Sequence, residues 1–325
     1  MIRLKSSGLK MLWRKLPFPV VAVVGPTAVG KTALAVELAE RYEGEIVSAD
    51  SRQFYRGMDI GTAKPSREEL DRVPHHLIDV SDPQETWSLA AFKNEAQAAL
   101  ADIHRRNKLP FLVGGTGQYV YGLLEDWQIP SQKPDQRMRE VLENWGRTLG
   151  PFEFHRKLAI IDPIAATVIQ PENMRRTVRA LEVILLTGKK FSEQRRIGTS
   201  RYSILKIGLI RPRPELYARV DERIQSMLNE GLVDEVQKLR GQGFSSENPT
   251  LSAIGYREIC AYLDGKMTLE EAVVHMKRLT RDYIRRQANW FKENDPTINW
   301  VQAGCTAVGK AVSFIECEKC WTLPE

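Results

Sequence analysis

Apolar residues along the chain keep two rhythms. Four short runs, at 20–24, 45–48, 109–113 and 202–210, are too brief for buried helices and are bounded by turn-forming residues, so they predict strands of a covered sheet. Between them, spacings of three and four predict helices. One follows the first strand through residues 33–39, and one spans 87–106 with Leu89, Phe92, Ala96, Ala99, Leu100 and Ile103 on one side. Another starts at Glu215, and a long one is opened by the capping box Thr268-Leu269-Glu270-Glu271 and runs to Trp290 and Phe291. Segments 57–65 and 73–79, rich in turn residues, read as loops with a short strand. Strand alternating with helix predicts the α/β class, a parallel sheet flanked by helices.

Residues 126–201 break that alternation with helices alone and read as an insertion. Met138, Val141, Leu142, Trp145 and Leu149 fall on one helical face. Farther on, Met174, Val178, Leu181 and Leu185 form an apolar stripe, with Arg175, Arg176 and Arg179 on another face of the same helix and Lys189, Lys190, Arg195, Arg196 and Arg201 in the loop that follows. The expected organisation is a basic N-terminal extension (1–19), a core made of 20–125 and 202–300, the helical insertion (126–201) and a C-terminal tail (301–325).

Candidate chemistry concentrates after the first strand, in Gly25-Pro26-Thr27-Ala28-Val29-Gly30-Lys31-Thr32. The G-x-x-x-x-G-K-[ST] spacing, placed between a strand and a helix, lets backbone N–H groups converge on a phosphate. Lys31 adds a point charge and Thr32 a hydroxyl for a metal ion. The sheet core is therefore expected to be P-loop NTPase-like. The motif leaves open which phosphorylated compound is held. Asp50 follows the second strand and so lies at a carboxyl edge, where open parallel sheets bind ligands; a turn or helix cap is its alternative use. The fourth run, 109–113, ends in Gly114-Gly115-Thr116 where a nucleotide-hydrolysing enzyme would commonly carry an acid for magnesium. Two glycines and a small hydroxyl there are expected to leave room for an organic acceptor, with a plain tight turn as the alternative. Arg219 and Arg223, one helical turn apart, can face a shared anion or pair with Asp221 or Glu222. Arg278, Arg281 and Arg285 line one side of the last long helix.

The formal net charge of +6 is unevenly placed. Residues 1–19 hold five Lys/Arg and no acid, and 126–201 hold fourteen Lys/Arg against nine Asp/Glu. Base excess in two segments suits a polyanion such as nucleic acid, and solvated helix faces remain the alternative. No stretch approaches the roughly 18–20 apolar residues that cross a bilayer, so no membrane is expected. The first 19 residues share a basic, acid-free character with organelle transit peptides, but an unstructured extension or an upstream start is the favoured reading. Four cysteines suggest reduced thiols inside a cell; Cys317 and Cys320, joined in the tail by Cys305, do not complete a zinc site.

Taken in order, the phosphate loop with Ala49-Asp50-Ser51-Arg52-Gln53-Phe54-Tyr55, Met58-Asp59-Ile60-Gly61-Thr62-Ala63-Lys64-Pro65, Pro74-His75-His76-Leu77-Ile78-Asp79, Leu112-Val113-Gly114-Gly115-Thr116-Gly117, Arg179-Ala180-Leu181-Glu182-Val183 and Ala253-Ile254-Gly255-Tyr256-Arg257 closely resemble the tRNA dimethylallyltransferase family, in its bacterial form, over roughly 20–300. The resemblance implies transfer of a dimethylallyl group from dimethylallyl diphosphate to N6 of the adenosine just 3′ of a tRNA anticodon. It further implies Asp50 as general base, Arg223 as an arginine near the diphosphate and Thr116 as a contact to the acceptor. Segments matching Asp50, Ser51, Arg52 and Gln53, Arg175 to Arg179 (Arg175, Arg176 and Arg179 among them), and Ser252 to Arg257 (with Gly255 and Tyr256) would touch the tRNA anticodon stem-loop. Mg²⁺, partly on Thr32, is the implied metal, and a cytoplasmic monomer the implied form. Gln53 is a plausible reader of the flipped base. Gln118, where many members have leucine or methionine, and Arg52, a variable position, depart from the pattern without touching a chemical role. A small-molecule kinase using ATP on the same loop, or an RNA-binding NTPase, are the alternatives; the missing acid after Val113 counts against both.

Overall fold

The computed structural model describes residues 12–130, 135–194, 198–245 and 248–324. Arg195 and Arg196, expected in a basic exit loop, lie outside them. Six strands form one all-parallel sheet: β1 (Pro19–Val24), β2 (Glu45–Ser48), β3 (His75–His76), β4 (Pro110–Gly114), β5 (Ser203–Ile210) and β6 (Ile298–Gln302), in spatial order β3-β2-β4-β1-β5-β6. The order reverses at β1, which pairs with β4 on one side and β5 on the other. That reversal opens a crevice at the strands' carboxyl ends, above β1.

Alternation along the strands divides the core. Val21, Val23, Phe111, Val113, Leu205 and Ile207 join the cluster built with α1 (Lys31–Arg41), whose Leu34, Ala35, Leu38 and Ala39 face inward. After α2 (Arg67–Arg72), the other face of β2 and β4 meets α3 (Leu89–Arg105) and α4 (Gly117–Leu124). Ser88 caps α3 by accepting the Ala91 amide, two residues inside the start that periodicity suggested.

The chain divides into two compact units, one running to Leu124 and from Ser200 onward, the other Glu125–Thr199. Among the described residues the second unit carries the helices α5 (Gln136–Leu149), α6 (Pro151–Ile161), α7 (Pro163–Val168), α8 (Met174–Thr187) and α9 (Phe191–Gln194). Its own core contains Leu142, Phe154, Leu158, Val178 and Leu181. The apolar stripe expected on α5 is only partly internal. Val141 is 63% exposed, because α5 meets its neighbours along the narrow line of Leu142 and Gly146. Leu185, expected on the α8 stripe, is likewise exposed.

The first unit continues with α10 (Arg213–Asn229), α11 (Leu232–Gly241), α12 (Tyr256–Leu263) and α13 (Leu269–Ala288), and closes with β6 and α14 (Ala307–Ile315). Two expectations are corrected here. Residues 301–324, expected as a C-terminal tail, belong to the sheet unit. β6 pairs with β5, α14 packs on α1 and β6, and Thr322 exchanges backbone hydrogen bonds with Ile204. The INWVQ strand was missed because only Ile298 and Val301 in it are buried, too little to stand out as an apolar run. Residues 12–18 are likewise part of the core unit rather than an extension, since Trp13 is 4% exposed and the Pro17 carbonyl accepts the Ser203 amide.

Candidate active site

β1 stops at Val24, and Gly25 turns the chain at φ +143°, where a Cβ would lie 2.6 Å from the Leu209 carbonyl oxygen. Gly30 enters α1 in the left-handed region at φ +107°. Between them the loop's carbonyls are held by cations. Lys31 Nζ donates to Pro26 O (2.8 Å), Arg219 Nε to Ala28 O (2.8 Å) and Arg211 Nε to Val29 O (3.3 Å). With the carbonyls occupied, the amides opening α1 are the groups left to meet an anion, reinforced by the helix dipole.

Two cavities adjoin this loop, of about 580 Å³ and about 460 Å³. The larger is lined by Lys31, Thr32, Arg219 and Arg223 together with Gln53, Lys64 and His75. The smaller is more apolar, lined by Ile224, Met227, Met276 and Leu279 together with Ser51, Arg52 and Thr116. Thr27, Asp50 and Arg223 line both, so the carboxylate stands where the two spaces meet. Burial pulls the Lys31 ammonium down to about 8; the Asp50 carboxylate opposes the fall and the Arg223 guanidinium adds to it. Arg223 is also lowered, first by burial, with Asp50 opposing and Arg219 contributing. On the larger cavity's wall Lys31, Lys64, Arg219 and Arg223 stand against the carboxylates Asp50, Glu69 and Glu222, a small excess of positive charge.

Asp50 is fixed by its own turn: its Oδ1 accepts the Arg52 amide (3.0 Å), and its amide donates to Ser48 Oγ (3.3 Å). Thr116 Oγ1 accepts the Ser51 amide at 3.5 Å. Arg52 donates to the Thr250 carbonyl (3.3 Å), which ties this turn to the segment holding Ser252 and Arg257, both at the smaller cavity. The asparate-bearing turn, Thr116 and the 252–257 segment are therefore brought together with the phosphate loop.

Several expectations are revised. Gln53 lines the larger cavity, and both ends of its amide are engaged: Oε1 accepts from Ser48 Oγ (3.0 Å) and Nε2 donates to Ala63 O (3.2 Å), so it braces the turn rather than presenting an open reading edge. Tyr256 is fully buried, its hydroxyl donating to Glu235 (2.6 Å), and Gly255, at φ +98°, sits at the start of α12; neither offers a side chain to a tRNA. The glycines after β4 do not leave space. A Cβ at Gly114 would meet Ala49 O at 2.6 Å, at Gly115 Gln287 Nε2 at 2.2 Å, and at Gly117 Trp290 at 2.3 Å, so they admit protein instead. Asp221 pairs with Arg281 (2.8 Å) rather than with Arg219 or Arg223, and this removes Arg281 from the basic side of α13. Trp290 stacks on Tyr121, and Phe291 is 4% exposed, both in packing.

Sequence reading missed Glu235, Tyr283 and Gln287. Glu235 accepts the amides of Asp59, Ile60 and Gly61 (2.8–3.1 Å) besides the Tyr256 hydroxyl, and so shapes the loop that carries Thr62. Tyr283 lines the smaller cavity beside Thr116; Gln287 reaches the phosphate loop. The available signal was the helical face Met276, Thr280, Tyr283, Gln287, spaced four, three and four.

For a metal ion, Thr32 offers one hydroxyl in the cavity that also holds Asp50 and Glu222. Among the described residues no three His, Cys, Asp or Glu side chains gather to hold an ion. A sparse, all-oxygen set fits magnesium, which keeps most of its shell as water and phosphate oxygens.

In the helical unit, Arg175 and Arg176 are exposed at the start of α8, whereas Arg179 donates to the buried Glu182 (2.8 Å), as Arg139 does (2.9 Å). No helix among the described residues is long and apolar enough to cross a membrane.

The sequence profile described as IPP transferase matches residues 53–294, and that of isopentenyl transferase matches 18–83. A tRNA dimethylallyltransferase of Roseiflexus sp. (strain RS-1) is 51% identical over 274 residues, covering 84% of this chain and 90% of the relative. The crystal structure of the full-length tRNA isopentenylpyrophosphate transferase from Bacillus halodurans superposes with a TM-score of 0.68 at 45% identity, covering 92% of this chain and 94% of that one. A crystal structure of a eukaryotic dimethylallyltransferase acting on tRNA gives a TM-score of 0.75 at 31% identity over 88% of this chain and 74% of that one. With the phosphate loop and its aspartate in place, and relatives of this identity along most of the sequence, the chain belongs to the IPP transferase family, that of the tRNA dimethylallyltransferases.

Proposed function

We propose that the protein transfers a dimethylallyl group from dimethylallyl diphosphate to N6 of adenosine 37, immediately 3′ of the tRNA anticodon, and releases diphosphate. The observation that carries this reading is the position of Asp50 at the junction of two cavities, one bounded by Lys31 and Arg223, the other by Thr116 and the 252–257 segment. The donor's diphosphate belongs against the phosphate loop; the acceptor base, flipped out of its loop, belongs on the Thr116 side.

N6 attacks the allylic carbon, the new C–N bond forms as the C–O bond to diphosphate breaks, and Asp50 takes the N6 proton. The charge that grows on the leaving diphosphate is met by the amides at the start of α1, by Lys31 and by Arg223. A magnesium ion, held through Thr32, would add charge neutralisation to the diphosphate. The exposed Arg175 and Arg176 are the helical unit's candidates for the tRNA backbone. A cytoplasmic monomer is the form proposed with this reading.

The test is to incubate the protein with dimethylallyl diphosphate and unmodified tRNA, without ATP, and to analyse the digested nucleosides by mass spectrometry. N6-dimethylallyladenosine is the expected product; ATP-dependent phosphorylation instead would overturn the reading. Asp50→Asn should lower kcat by roughly 10²–10⁴ while leaving tRNA affinity near that of the wild type. Near-normal turnover would remove Asp50 from the proton-accepting role.

A further inference from the structure

Gln287 lies near the C-terminus of α13, 3% exposed, far in sequence from every motif of the site. Its side-chain amide joins two loops. Oε1 accepts the Thr27 amide of the phosphate loop at 2.8 Å, and Nε2 donates to the Gly115 carbonyl at 3.0 Å. Gly115 immediately precedes Thr116. The two loops continue neighbouring strands whose ladder ends at the pair Val24 and Gly114. Beyond that pair the sheet no longer sets their separation, and the Gln287 amide spans the gap in its place.

The pairing is chemically narrow. A neutral amide carries a donor and an acceptor on one short planar group and so satisfies an N–H and a C=O at once, which a carboxylate or a hydrocarbon of similar size cannot. Gly115 is the matching half, since a Cβ there would sit 2.2 Å from Gln287 Nε2 and 3.2 Å from the Gly25 carbonyl. One turn earlier on α13, Tyr283 lines the same cavity as Thr116. The helix therefore grips both loops, at the point where Thr27 and Thr116 face the smaller cavity.

We infer that Gln287 is a positioning residue for group transfer: it sets the distance between the phosphate loop, which holds the leaving diphosphate, and the Thr116 loop, which holds the acceptor. The inference rests on the prenyl-transfer reading, which turnover by the wild-type protein in the same assay secures separately. Bound reactants then keep their individual partners when the link is lost, but their mutual alignment suffers, and a misplacement of about 1 Å can cost on the order of a hundredfold in rate.

The experiment compares Gln287→Leu, Gly115→Ala and the double variant in full-length protein, with kcat expressed per folded molecule and KM measured for both substrates. Gln287→Leu should lower kcat by roughly ten- to a hundredfold with both KM values within about threefold of wild type. Gly115→Ala, which displaces the amide without deleting it, should give a similar loss. The double variant should be little worse than either single one, because both break the same link. A merely structural role would reduce the folded fraction or the melting temperature and leave kcat per folded molecule unchanged; that result in either single variant overturns the inference. Should Gln287→Leu fail to fold, Gly115→Ala decides alone, by the same loss or by its absence.

Discussion

At the scale of single residues, Lys31 controls how the site meets an anion. Its pKa is held down near 8 chiefly by burial, and a bound diphosphate would restore the preference for the charged form. Binding then requires a proton on Lys31. Affinity for a non-hydrolysable donor analogue should be constant below about pH 8 and weaken by about tenfold per unit as pH rises through that value. Isothermal titration between about pH 7 and 9.5 checks this, and a flat profile would show that Lys31 is charged throughout. Lys31, Thr32 and Asp50 were all legible from sequence, because their chemistry depends on neighbours within a few positions: a glycine turn, a helix start, a strand end. Gln287 was not. Its partners lie 260 and 172 positions away, and nothing local distinguishes a glutamine that bridges two loops from one on a solvated surface.

At the scale of elements, the loop between β2 and α2 owes its shape to one side chain of α11. Glu235 accepts three consecutive backbone amides and the Tyr256 hydroxyl. Removing it leaves those donors unpaired beneath the cavity wall at Gly61 and Thr62. Glu235→Ala should cost about 2–4 kcal/mol in urea unfolding, from several partly buried donors at about 1 kcal/mol or more each, and raise KM for the acceptor tRNA. A loss under about 0.5 kcal/mol would mean the loop holds itself. The parallel sheet, α1 and α3 were visible as periodicity. β6 and α14 were not, because an edge strand with two buried residues carries little pattern. The glycines after β4 misled for a related reason. Sequence shows that a side chain is missing but not what fills the gap, and here Ala49, Gln287 and Trp290 do.

At the scale of the whole molecule, charge is distributed by unit. Arg179 and Arg139 both pair with the buried Glu182, so part of the positive charge counted in the helical segment stabilises that unit's own interior. Arg175 and Arg176 are left as exposed candidates. Replacing both by alanine should weaken tRNA binding at low salt and reduce the slope of log affinity against log salt by about 1–2, with kcat at saturating tRNA nearly unchanged. An unaltered slope, measured by filter binding over a range of potassium chloride, would place the RNA contacts elsewhere.

The hydrogen bond from Lys31 to the Pro26 carbonyl bears on how the site recycles. The ammonium already has an oxygen to rest on between catalytic rounds, so an arriving donor exchanges one oxygen for better ones rather than rescuing a bare cation. Its net hold is only the difference between the two. On the prenyl-transfer reading the same difference is Lys31's share of the grip on the spent pyrophosphate, beside that of the α1 amides and Arg223, and a swing back to its own backbone readies it for the next molecule.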